Sequence, residues 1–145
     1  LKKSFLADTS CLEAAFCQWH TQHTVTLAEF SRRMDGGSAL VIAAHSLLET
    51  YSVLTRLPAP RRLQPAQAYQ VIQANLSQQR ALTLADKEYW KLVHTCSERG
   101  WCGGMVYDAL LVALAQAYQI PEILTYNERD FSRLVGVETR IIVPT

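Results

Sequence analysis

The run Ala39-Leu-Val-Ile-Ala-Ala44 most constrains what this chain can fold into. Six successive apolar residues without alternation fit a strand buried on both faces, and such strands belong to parallel sheets covered by helices. Ser4–Ala7, Arg80–Leu84, Ile123–Thr125 and Arg140–Val143 read as further short strands. Between them lie stretches of helical period. Ser10-x-x-Glu13 reads as a capping box opening a helix through Leu12, Ala15, Phe16 and Trp19. Thr26-x-x-Glu29 precedes Leu27, Phe30 and Met34, with Gly36-Gly37 as the stop, and Ser46-x-x-Glu49 opens a helix that Pro58 and Pro60 end. Pro65 suits the first turn of a helix lined by Ala68, Tyr69, Ile72 and Leu76. Asp86 is the expected N-cap of a helix ending at Gly100, and Val106–Tyr118 is a long apolar helix. Strands separated by helices predict an α/β domain with a central, mainly parallel sheet of about four to five strands flanked by helices. One domain over residues 1–145 suits this length.

Hydrophobic residues make up 49% and charged residues 19%, which argues for a packed core and against disorder. The formal charge of +1 does not announce a nucleic-acid binder. If carboxylates gather in one pocket, however, the rest of the surface is net positive, with Arg32, Arg33, Arg56, Arg61, Arg62 and Arg80 available for its rim. The four cysteines form no CxxC pair, so zinc and dithiol chemistry are not expected and free thiols in a reducing compartment are. Asp8 interrupts the first apolar run too early for a signal peptide, and the run Ala109–Ala115 is far too short to span a membrane. These points together predict a cytoplasmic protein.

Four acidic phrases stand at the edges of apolar segments: Leu6-Ala-Asp8-Thr9-Ser10, Leu47-Leu-Glu49, Tyr107-Asp108 and Thr125-Tyr-Asn127-Glu-Arg-Asp130-Phe131. Each has a local explanation as a helix cap or a dipole partner. Their joint placement points further. In an open parallel sheet the carboxyl ends of the strands share one edge, where ligands bind. Asp8 ends the first strand, Glu49 follows the second by a short turn, and Asn127 and Asp130 follow the strand at Ile123–Thr125. No strand directly precedes Asp108. Helical spacing places it on one face with Leu111, Val112 and Ala115, a carboxylate at the end of a buried stripe that needs a partner. Three gathered carboxylates repel one another unless a cation sits between them.

In order and spacing these motifs resemble the PIN-domain ribonucleases, most closely the VapC-type toxins of toxin–antitoxin pairs, across essentially the whole chain. The resemblance implies a single PIN-like domain that cleaves RNA with Mg2+ or Mn2+. It implies that Asp8, Glu49 and Asp108 bind the metal, with Asn127 or Asp130 completing the site or orienting the attacking water. Thr9, Ser10 and Asn127 are expected to hold those carboxylates by hydrogen bonds, and Arg56 to contact RNA. The family's closing motif often has an aspartate at the position of Asn127. An antitoxin partner, a homodimer and the absence of membrane association belong to the same expectation. A non-catalytic PIN-like module that binds RNA or protein is the alternative; an unrelated α/β hydrolase or phosphatase is disfavoured by the lack of G-x-S-x-G, P-loop and G-x-G-x-x-G motifs.

Of the scattered histidines, His45 stands at the same strand end as Glu49. Trp90 is expected in the core, and Trp101, in a glycine-flanked loop, at an exposed contact. The Tyr69–Leu76 stripe is a candidate seat for an antitoxin helix.

Overall fold

The computed structural model describes residues 3–136 and 138–145. Five strands form one sheet: β1 (Ser4–Ala7), β2 (Ala39–Ala43), β3 (Arg80–Leu82), β4 (Glu122–Leu124) and β5 (Arg140–Ile142). Their order is β3-β2-β1-β4-β5, and all four pairings are parallel. Seven helices accompany them: α1 (Thr9–Phe16), α2 (His23–Asp35), α3 (Ala44–Thr55), α4 (Pro65–Leu76), α5 (Asp86–Arg99), α6 (Met105–Ala117) and α7 (Glu128–Ser132). The α/β class, the five strands and the parallel sheet agree with the sequence reading.

The pleat sorts the apolar strand residues onto two faces. Leu6, Val41, Ala43, Leu82 and Ile123 pack on one side with Leu110, Leu111 and Leu114 of α6, Cys96 of α5 and Phe131 of α7. Phe5, Ala7, Leu40, Ile42 and Leu124 pack on the other with Cys11, Leu12 and Ala15 of α1 and Phe30 of α2. A sheet buried on both faces accounts for the unbroken apolar run in β2.

The strand order reverses between β1 and β4, because the chain winds outward from β1 in one direction to β3 and in the other to β5. A crevice opens at such a switch point beyond the carboxyl ends of the strands. Asp8 closes β1 and Thr125 follows β4, so the two face each other across it. The register is held there by the Asp8 amide donating to the Leu124 carbonyl at 2.9 Å.

Several expected helix starts differ. α1 begins at Thr9, with extended Asp8 as its N-cap, and not at Ser10. Thr26 lies inside α2, where its hydroxyl bonds the Gln22 carbonyl at 2.6 Å and the Tyr126 hydroxyl at 2.7 Å. Ser46 lies inside α3, which starts directly from β2 with Ala43 as N-cap, and its buried hydroxyl has no partner among the described residues. In each case the preceding backbone turns helical first, and the side chain that would have capped is drawn to a tertiary contact or into the core. Asp86 is the first residue of α5, where its charge faces the positive helix end, and Ala85 is the cap. A reciprocal contact not anticipated opens α4, where the Gln67 side-chain oxygen accepts from the Gln64 amide at 2.9 Å. Gly100 does end α5, in the left-handed conformation with φ of 70°.

The tryptophans reverse their expected places. Trp90 is 77% exposed, because Leu92 and Cys96 set the buried face of α5 and Trp90 falls off it. Trp101 packs against the core beneath α6, under the Arg99 guanidinium. On α4, Ala68, Ile72 and Leu76 of the expected stripe are turned toward the core, and Tyr69 is exposed. That stripe is therefore occupied by intramolecular packing and does not form a free seat. All four cysteines are free thiols. Among the described residues no helix is long and apolar enough to cross a membrane.

Candidate active site

Four helices start at the rim around the crevice. α1 follows β1 through Asp8 alone, α3 follows β2 directly, α7 follows β4 after three residues, and Asp108 lies in the first turn of α6. Asp8 caps α1, and Asp108 and Asp130 lie in the first turns of α6 and α7, where a helix dipole favours negative charge; Glu49 lies beyond the first turn of α3.

Asp8 is the most constrained acid of the set. It is buried, with its Oδ2 accepting from the Thr125 hydroxyl at 2.8 Å and from the Ser10 hydroxyl at 2.9 Å. Burial pushes its pKa above the ordinary carboxylate value. The two hydroxyls and the Thr9 backbone amide pull it back, and the charge of Glu49 pushes it up again. Ser10 links two loops, since its oxygen also accepts from the Tyr126 amide at 3.0 Å. The Thr125 oxygen accepts from the Asn127 amide at 2.9 Å, so one hydroxyl orients both Asp8 and the turn into α7.

Asp108 is half-buried and reaches the same place from the opposite layer. Its Oδ2 accepts from the Asn127 side-chain amide at 3.1 Å. Its pKa is pushed up to about 7, chiefly by burial and further by the charges of Asp8, Asp130 and Glu49. That repulsion identifies the four acids as neighbours in one field. Glu49 is partly exposed on α3, with His45 Nε2 3.8 Å from its Oε2. Asp130 lies in the first turn of α7, and Phe131 beside it is fully buried, which anchors that helix.

The structure thus places Asp8, Glu49, Asp108, Asn127 and Asp130 around one rim; strand ends in the sequence pointed there for all but Asp108. The packing of α6 settles the position of Asp108. Ser10 holds Asp8, as expected. Thr9 differs: its buried hydroxyl has no partner among the described residues, and only its backbone amide serves Asp8. Thr125 is a further residue of the site, and its signal in the sequence is a threonine directly after a strand and two residues before Asn127. Arg56 caps the far end of α3, about 10 Å along the helix axis from Glu49. Most of the other arginines are engaged elsewhere. Arg33 bonds Glu29 and Glu122, Arg61 stacks on Trp19, Arg62 bonds the Leu57 carbonyl and Arg80 lies over Tyr118. Arg33 and Arg80 belong to the opposite edge of the sheet, where the strands begin.

The donors here are carboxylate and amide oxygens, the set that hard divalent cations take. Among the described residues no three His, Cys, Asp or Glu side chains stand together so as to hold a metal ion. The acids form an open group whose mutual repulsion a cation would relieve, and in donor chemistry they fit one. A cleft of about 710 Å3 runs between α5, α6 and the segment after α7, bounded by Leu92, Arg99, Trp101, Val112 and Arg133, and none of the candidate acids lines it.

The PIN domain family matches residues 5–137 of the chain. Ribonuclease VapC40 of Mycobacterium tuberculosis is 37% identical over 110 residues, covering 76% of this chain and 77% of the relative. Ribonuclease VapC27 of Mycobacterium tuberculosis is 33% identical over 139 residues, covering 94% and 96%. Among solved structures, Mycobacterium tuberculosis VapC20, a Sarcin-Ricin loop cleaving toxin, superposes with a TM-score of 0.73 at 18% identity, covering 94% of this chain and 98% of that one. VapBC2 from Rickettsia felis, bound to a DNA fragment from its promoter, gives 0.67 at 15% identity, covering 98% and 99%.

Proposed function

This chain belongs to the PIN-domain family, and from that premise we propose that it is an endoribonuclease, the toxin of a toxin–antitoxin pair, hydrolysing RNA phosphodiester bonds with Mg2+ or Mn2+. The observation that carries the reading is the pinned Asp8 carboxylate at the β1–β4 crevice, facing Asp108 and Glu49. The ribonuclease names of its relatives support it.

In this reading Asp8, Glu49 and Asp108 hold the cation, with Asn127 or Asp130 completing the group. A cation bound there would polarise the scissile phosphate and supply hydroxide near neutral pH. The protein's own part is orientation. Ser10 and Thr125 fix one oxygen of Asp8, leaving the other for the site. Asn127 donates to Asp108 where a fourth aspartate would repel it. Arg56 contributes a phosphate contact, which positions RNA without reading its sequence. A cognate antitoxin, a homodimer and a cytoplasmic setting complete the proposal.

Asn127 in place of an acid favours the second reading, a PIN-like module that binds RNA or protein without cutting. One experiment separates the two. RNA is incubated with Mg2+ or Mn2+, with EDTA, and with the Asp8→Asn variant. Cleavage that needs metal and Asp8 supports the nuclease; no cleavage together with no metal binding by calorimetry supports the module. Glu49→Gln and Asp108→Asn should each abolish cleavage while melting within a few degrees of the parent. Full activity in either variant would remove that residue from the proposed site.

A further inference from the structure

Three acids of the site differ in how they are held. Asp8 is bonded by two hydroxyls and Asp108 by an amide. Glu49 accepts no hydrogen bond from the described residues, and its side chain is 32% exposed. One turn before it on α3 stands His45. The His45 ring is stacked on Tyr107, with centroids 4.3 Å apart and planes 13° from parallel. Tyr107 immediately precedes Asp108, so the stack joins the two acid-bearing helices from opposite layers of the fold.

The ring is held, but its Nε2 is not satisfied. That atom is buried and has no hydrogen-bond partner among the described residues. It points at Glu49 Oε2 from 3.8 Å, too far for a hydrogen bond. A neutral imidazole offers one N–H donor, and an ionised carboxylate only accepts. The two groups are complementary, and a small side-chain rotation of the partly exposed glutamate closes the gap.

We propose that His45 is the positioning residue of Glu49: held by its stack on Tyr107, it donates from Nε2 to the glutamate carboxylate and fixes that acid in the site as Ser10 and Thr125 fix Asp8. The inference rests on Glu49 being a site acid, as proposed above. It gives Glu49 the hydrogen-bonded support that acids at metal sites commonly have.

The test uses the full chain and two variants. His45→Phe keeps a flat ring for the stack and removes the N–H. His45→Gln restores an N–H donor on a planar amide. The expected result for His45→Phe is a fall in kcat of roughly 10- to 100-fold with KM for RNA nearly unchanged, and weaker Mn2+ binding by calorimetry. His45→Gln should recover part of both. A third measurement needs no activity: 15N NMR of the imidazole should show the Nε2–H tautomer in the parent, with that signal moving in Glu49→Gln. Parent-like kcat and Mn2+ affinity in His45→Phe would overturn the proposal. So would equal losses in both variants with an imidazole signal indifferent to Glu49→Gln, since the ring would then only pack. If the parent itself cuts no RNA, the proposed function fails, while the Mn2+ and NMR results still decide whether His45 and Glu49 are coupled.

Discussion

Thr125 shows how much one hydroxyl can organise. It is fully buried, donates to Asp8 at 2.8 Å and accepts from the Asn127 amide at 2.9 Å. Removing it leaves Asp8 with Ser10 as its one hydroxyl donor and leaves the Asn127 amide unpaired. Thr125→Val preserves the shape, so the expected effect is on chemistry more than on packing: a loss of activity of roughly 10- to 100-fold, as for other groups that orient a metal-binding carboxylate. Cleavage kinetics beside a melting curve check it, and parent-like cleavage would show that Ser10 alone suffices. Ser10 was legible in sequence as a residue of interest, but its expected cap role belonged to another geometry. A hydroxyl directly after Asp8 and Thr9 satisfies both descriptions, and the chain uses it to bond Asp8 and the Tyr126 amide.

At the scale of elements, α7 is the piece on which the closing motif depends. It has five residues, too few to be stable alone, and it carries Asp130 with Asn127 at its N-cap. Phe131 holds it, fully buried among the residues of the α6 face. Phe131→Ala should cost about 3–5 kcal/mol in chemical denaturation, because a large buried ring is removed. It should also weaken cleavage by more than the stability loss explains, since Asn127 loses its fixed approach to Asp108. Stability reduced with cleavage untouched would mean that the Asn127–Asp108 contact is dispensable. α6 is the complementary case. Its apolar stripe was plain from spacing, yet its docking at the same rim was not, because no strand leads into it. Burial of Leu110, Leu111 and Leu114 against the sheet decides where Asp108 lands.

For the whole molecule the gathered acids predict a pH dependence. Asp108 has an ordinary value of 3.8 and is held at about 7 in the fold. Between those values the native state binds more protons than the unfolded chain, so stability falls as pH rises. The contribution is fully present below about pH 4 and is lost as pH passes through about 7. The raised pKa of Asp8 acts in the same direction. Without metal, the parent should therefore melt at a lower temperature at pH 7.5 than at pH 5, and Asp108→Asn should shrink that difference. Mg2+ or Mn2+ added at pH 7.5 should raise the melting temperature of the parent more than that of the variant, by preferential binding to the native state. Parallel pH curves for parent and variant would contradict the repulsion described for the site. Among the arginines that composition made available for a basic rim, Arg33 instead joins Glu29 and Glu122 in an ion-pair network at the opposite edge of the sheet, to which Arg140 also contributes.

By itself the sequence determined the elements and their layering, because apolar run length and helical period report burial on two faces or one. It also placed Asp8 and Asn127 beside the ends of strands whose direction a parallel sheet fixes, whereas Glu49 proves to be the sixth residue of α3. Tertiary structure alone decided the rest. Side-chain hydrogen bonds across long separations, such as Thr125 to Asp8, leave no periodic trace. Whether a serine caps or points inward depends on where the backbone first turns helical. The position of Asp108 depends on how α6 packs, and the stacking of His45 on Tyr107 joins residues 62 positions apart. Local pattern encodes burial, whereas contact between distant segments is settled by the competition of whole faces for one core.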